Sequence, residues 1–137
     1  MSTVDLPPAP VPGQPSLENL HEAVHGCRAC DLWEGATQPV MGELARHAHL
    51  MLVAGQPGDR EDVEGRPFVG PAGRILDQGL ERAGIARDEV YITNAVKHFR
   101  DKLRGERRIH QSPDRWQFAA CFPWRSSLTI WDKVPGG

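Results

Sequence analysis

Three cysteines offer the first chemistry in this chain: Cys27, Cys30 and Cys121. Cys27-Arg-Ala-Cys30 has the two-residue spacing by which one loop presents two thiolates to one metal or cluster. Two more donors are needed. Cys121 supplies one, and His98, directly after a predicted strand, is the expected fourth. Three cysteines and one histidine suit both tetrahedral zinc and a four-iron, four-sulfur cluster, and spacing leaves the two open. A thioredoxin-like redox pair is the weaker reading, because no βαβ frame precedes the motif. An odd cysteine count without a secretory signal also argues against disulfides.

A second group of residues has the make-up of a ligand pocket. Gly55-Gln-Pro-Gly-Asp-Arg-Glu-Asp62 and Gly65-Arg-Pro-Phe-Val-Gly-Pro-Ala-Gly73 combine small residues, where backbone approaches a ligand closely, with acidic groups and Phe68, an aromatic able to stack on a base. They match neither a Walker loop nor a G-x-G-x-x-G fingerprint, so a plain structural turn competes. The Asn94 amide can read both a donor and an acceptor on a base edge, although an Asn ending a strand is as good an explanation. Arg107-Arg-Ile-His110 sets an imidazole beside two guanidinium groups. Neighbouring cations favour the neutral, nucleophilic imidazole, and the arginines can hold phosphates; an ordinary surface histidine is the simpler alternative.

The elements that must position these groups follow from periodicity. Ser16 caps a helix over residues 16–25, with Leu17, Leu20 and Val24 on one face, and delivers the chain to Cys27. Leu50-Met-Leu-Val-Ala54 reads as a buried parallel strand and Val90-Tyr-Ile-Thr-Asn94 as a second. Between them a helix is predicted over 72–83, with Ile75, Leu76, Leu80 and Ala83 inward and Gly84 as its stop. Strand, helix, strand makes a right-handed crossover, hence an α/β fold with its site loops at the carboxyl ends of the strands. A further helix opens at Ser112-Pro113, and Pro123 is expected to interrupt it. Residues 1–15 read as a disordered Pro-rich tail, and residues 125–137 as a weak apolar stretch followed by a loose end.

The chain has 137 residues, 39% hydrophobic and 25% charged, which suits one soluble domain. No apolar run reaches the roughly 18 residues of a membrane span, and the start is not a signal peptide, so a cytoplasmic location without membrane contact is expected. The net charge of −2 conceals a division. Residues 97–108 alone carry six basic and two acidic side chains, a density suited to nucleic acid or, more simply, to a solvated loop.

In chain order, C-x-x-C, GxPGxxED, PFVGPAG, TNAVKHF, RRIH and AC-x-PW resemble the uracil-DNA glycosylase superfamily, in particular its UdgX branch, a relative of the family 4 enzymes. The resemblance runs from Cys27 to Trp124. It implies a three-layer α/β/α sandwich around a parallel sheet, of which this chain would be the N-terminal part. It implies a structural 4Fe-4S cluster on Cys27, Cys30, His98 and Cys121. Gln56, Pro57, Gly58 and Asp59 would line the uracil pocket, Phe68 would stack on the flipped base, and Asn94 would hold its edge. Arg107 and Arg108 would grip the strand while His110 attacks the sugar C1′, leaving protein and DNA joined. The implied partner is uracil-containing DNA, single-stranded, bound by a monomer.

Two departures accompany the resemblance. Gly55 stands where the family motif has a glutamate thought to assist catalysis, with Asp59, Glu61 and Asp62 as the carboxylates nearby. The family's LGATA-like and His-Pro-Ser segments do not occur, so residues 16–124 read as a partial domain and 125–137 as a divergent end. Two other expectations stand beside the glycosylase: a non-catalytic iron-sulfur or zinc module binding single-stranded nucleic acid, and an inactive truncated fragment.

Overall fold

Helix α1 (Leu17–Ala23) starts where predicted, because Ser16 and Asn19 cap each other reciprocally: Ser16 Oγ accepts from the Asn19 amide at 3.2 Å and Asn19 Oδ1 from the Ser16 amide at 2.7 Å. Leu20 is fully buried, and a 3-10 turn over Val24–Gly26 leads to Cys27. The computed structural model describes residues 6–43, 48–104 and 107–128, and for residues 102–104 and 107 the backbone alone. Residues 6–15 hold no helix or strand, yet Ala9 and Val11 rest against the main core.

Strands β1 (Leu50–Ala54) and β2 (Val90–Asn94) pair in parallel, in register from Leu50↔Val90 to Ala54↔Asn94. All five β2 residues are buried, Thr93 and Asn94 included, whereas β1, expected to be buried, leaves Leu50 and Val53 each 43% exposed. Side-chain alternation then divides the layers. Val90 and Ile92 pack with Leu80 and Leu76 of the crossover helix α3 (Pro71–Arg82), whereas Tyr91 packs with Leu20 of α1 and with Trp124 and Leu128 at the other end of the chain. Helices thus cover both faces of a parallel sheet, the α/β architecture expected. The apolar face of α3 is narrower than its sequence suggests, for Ile75 is 71% exposed. A short helix not anticipated from periodicity, α2 (Asp59–Glu64), fills the loop after β1 and ends at Gly65 with φ +74°.

Two differences lie in the second half. The basic segment is not an open loop: β3 (Asp101–Arg104) and β4 (Arg107–His110) form an antiparallel hairpin, with Asp101 opposite His110 and Arg104 opposite Arg107. Helix α4 (Arg115–Ser127), capped by Asp114 and Gln117, runs straight through Pro123 and the expected break at residue 125. The proline forgoes one backbone bond and crowds the preceding turn, a cost of about 3 kcal/mol. Burial of Cys121, Trp124 and Leu128 along the inner face keeps the helix on its axis. Of the expected divergent end, residues 129–137 lie outside the described residues.

Candidate functional site

At the carboxyl ends of β1 and β2 lies a pocket of about 400 Å3. It brings together Gln56, Pro57, Gly58 and Asp59 from the loop after β1, Phe68 from the second glycine-rich stretch, Asn94 from the end of β2, and His110 from the hairpin. Seven of the residues singled out in the sequence therefore meet at one place, although they span 55 positions of chain. Asn94 is held almost fully buried at 2% exposure, while His110 is exposed. Gln56 bridges the two sides: its Nε2 donates to the Gln111 carbonyl at 2.6 Å and its Oε1 accepts from the Arg100 amide at 2.9 Å. The β1 loop is thereby tied to both flanks of the hairpin.

Arg108 is turned inward. Its Nη1 donates to Asp62 Oδ2 and its Nε to Asp59 Oδ1, each at 2.7 Å, and its guanidinium lies 5.2 Å from the centre of the Phe99 ring. Hydrogen bonding to Asp62, foremost, raises its already high pKa further. Phe99 in turn lies 5.8 Å from the His110 ring. The Arg107 side chain falls outside the described residues. Gly55 is exposed, with open space where a Cβ would stand. Of the neighbouring carboxylates, Asp59 and Asp62 are engaged by Arg108, whereas Glu61 lines the pocket and its Oε2 is buried without a hydrogen-bond partner among the described residues.

Lys97 could not be placed from its sequence neighbourhood. Counted among the basic residues, it is fully buried: Nζ donates to Thr93 Oγ1 at 2.6 Å and to the Asn94 carbonyl, and Thr93 donates to the Met41 carbonyl. Burial lowers its pKa to about 8. It braces the end of β2 beneath Asn94 and cannot reach a phosphate. Asp62, one of the carboxylates near Gly55 in the sequence, is instead fully buried and spent on Arg108 and the Thr37 amide.

The four expected metal donors are all buried, with Cys27, Cys30, His98 and Cys121 between 6% and 7% exposed. Burial pushes the Cys121 thiol up to about 12 and raises that of Cys30, and the three sulfurs are near enough to act on one another electrostatically. Burial also lowers His98 to about 4, against an opposing pull from Asp62. Trp124 Nε1 donates to Cys27 Sγ and the Lys97 amide to Cys121 Sγ, both at 3.3 Å. Among the described residues no three His, Cys, Asp or Glu side chains converge closely enough for a single metal ion.

Comparison with known proteins places this arrangement. A family model described as the uracil DNA glycosylase superfamily matches residues 41–127. The chain is a member of that superfamily. Similar proteins include one named type-4 uracil-DNA glycosylase from Sulfurisphaera tokodaii, 42% identical over 110 residues, covering 80% of this chain and 47% of that protein. Another of the same name, from Pyrobaculum aerophilum, is 38% identical over 108 residues, 79% of this chain and 52% of its own. A third, from Thermotoga maritima, is 43% identical over 81 residues, 59% of this chain and 42% of its own. The chain spans about half the length of the curated relatives it matches. The stretch common to the superfamily runs from before β1 to the end of α4, so it contains every pocket residue named above together with His98 and Cys121, while Cys27 and Cys30 precede it.

Proposed function

We propose that this superfamily member recognises uracil in single-stranded DNA, excises it, and is then joined to the sugar through His110. The observation that carries this reading is the convergence of Gln56, Phe68, Asn94 and His110 on one pocket, of a volume ordinary for a small ligand. An extruded base would stack on Phe68 and meet the Asn94 amide, whose donor and acceptor match the imide edge of uracil. As the C1′–N1 bond breaks, its electron pair leaves with the base, which takes up a proton. The electron-poor sugar carbon then accepts the lone pair of a His110 ring nitrogen, and the proton on the other ring nitrogen passes to solvent. Arg107, on the same strand β4, would contact the DNA backbone on this reading, whereas Arg108, expected to share that role, is engaged by Asp59 and Asp62 and holds the hairpin instead. The protein acts as a monomer in the cytoplasm on this reading.

We assign Cys27, Cys30, His98 and Cys121 to a 4Fe-4S cluster. Their burial, soft donor chemistry and N–H···S contacts fit such a group. When bound, the cluster would cross-link the N-terminal loop, the end of β2 and α4, a structural role.

Gly55 favours a second reading, a non-catalytic module that grips single-stranded nucleic acid through its hairpin. An assay on matched single-stranded oligonucleotides separates the two. Release of free uracil from the uracil strand, and nothing from the thymine strand, is the expected result. Binding that is salt-sensitive but indifferent to uracil would replace the glycosylase with the binding module.

A further inference from the structure

Phe68 has φ +52°, and it is the one non-glycine residue with positive φ among the described residues. A bulky residue adopts the left-handed region only when its surroundings impose it. Two features impose it here. Gly73 leaves room for the backbone to fold back, for a Cβ on Gly73 would overlap the Phe68 carbonyl oxygen. The other is Arg87, from the turn immediately before β2. Its Nη2 donates to the Pro67 carbonyl at 2.9 Å, with a longer contact to the Phe68 carbonyl at 3.4 Å. The same guanidinium is braced by Asp77 of α3, at 2.6 Å from Nη1, and by Glu43, at 3.2 Å from Nη2.

We propose that Arg87 is a positioning residue for base recognition. It does not line the pocket; it holds the carbonyls of the two peptide units that flank Phe68 and so fixes the plane on which the base stacks. Arginine suits this task because its planar fork donates to several acceptors at set angles, which a lysine ammonium cannot reproduce. Asp77 and Glu43 orient the fork and balance its charge, so the carbonyls receive donors from a group that is itself fixed. The stacking role of Phe68 rests on the function proposed above; the fixing of its backbone does not.

Fluorine NMR of the protein carrying fluorinated phenylalanine tests this directly, since the chain has four phenylalanines and Phe68→Leu identifies one signal. In Arg87→Met the Phe68 signal should shift and broaden while that of the buried Phe99 stays in place. The uracil-oligonucleotide concentration that half-saturates the single-turnover rate of uracil release should rise about tenfold with the maximal single-turnover rate unchanged, as when a base–aromatic stack is weakened equally in ground and transition states. Arg87→Lys, which keeps the charge opposite Asp77 and Glu43, should move the same signal by less, and it decides the matter if Arg87→Met fails to fold. A Phe68 signal coincident with wild type in the folded variants overturns the proposal. Absence of uracil release by the wild type would count against the glycosylase reading alone, leaving the NMR comparison to decide the role of Arg87.

Discussion

Arg108 and Asp62 meet at 2.7 Å, and Asp62 is completely buried. The contact joins the hairpin that carries His110 to helix α2 beneath the pocket, and Asp62 also accepts from the Thr37 amide at 2.8 Å. Removing one member of a buried pair leaves the other charge uncompensated, which costs about 3–5 kcal/mol. Arg108 is 22% exposed on its side chain, so Arg108→Met should fall at the low end, about 3 kcal/mol, measured by denaturant unfolding. Hydrogen exchange at the β4 amides should quicken in the same variant. Unchanged stability and exchange would show that the pair does not hold the hairpin.

Gly73→Ala tests the close backbone approach that sets Phe68. Its methyl group would overlap the Phe68 carbonyl, which is backbone and cannot swing aside. The α3 N-terminus and Phe68 must separate, with a loss of about 2 kcal/mol, in the range of overpacking, and a matching loss of uracil-oligonucleotide affinity. Gly79→Ala is the control, because nothing lies within 4 Å of its added methyl; a thermal melt should show it neutral or slightly stabilising, as Ala favours a helix interior.

Much of this organisation was legible beforehand because it depends on short-range signals. Ser16 and the spacing of Leu17, Leu20 and Val24 announce α1, and the two apolar runs announce the parallel strands that bring Gln56 and Asn94 together. The hairpin escaped because Asp101-Lys-Leu-Arg and Arg107-Arg-Ile-His show no clean apolar alternation; its strands are stabilised by mutual pairing and by Arg108 reaching α2, neither visible along the chain. Charge density likewise could not separate Lys97, a buried brace, from its basic neighbours. Pro123 misled for a related reason: local propensity was overridden by burial of Trp124 and Leu128.

His21 predicts a pH response. Its Nε2 is 2.9 Å from the Tyr91 hydroxyl, and burial, chiefly, lowers its pKa from 6.5 to about 4. The unfolded chain therefore binds a proton between those values when the folded one does not. Stability from this group is complete above pH 6.5 and is lost as pH falls toward 4. His21→Gln should flatten that part of the stability profile measured by thermal melts between pH 7 and 4.5; an unchanged slope would show that His21 is not kept neutral by the fold.

Gly55→Glu addresses the missing carboxylate. The position is exposed and open, so the side chain can be accommodated at little cost to stability, within about 0.5 kcal/mol. Uracil release should rise at least tenfold over the natural chain in a single-turnover assay. No gain would mean that Glu61, whose Oε2 is unpartnered at the pocket, or another group already serves, or that the pocket is not catalytic.

On the function proposed above, His110 closes the pocket as the group that captures the sugar. This is tested most directly by incubating the full chain with single-stranded uracil DNA and separating the products on a denaturing gel. A retarded band that contains both protein and DNA, formed by the natural chain and absent with His110→Ala or with thymine DNA, is the predicted result. No retarded band from the natural chain, or an equal band from His110→Ala, would contradict it.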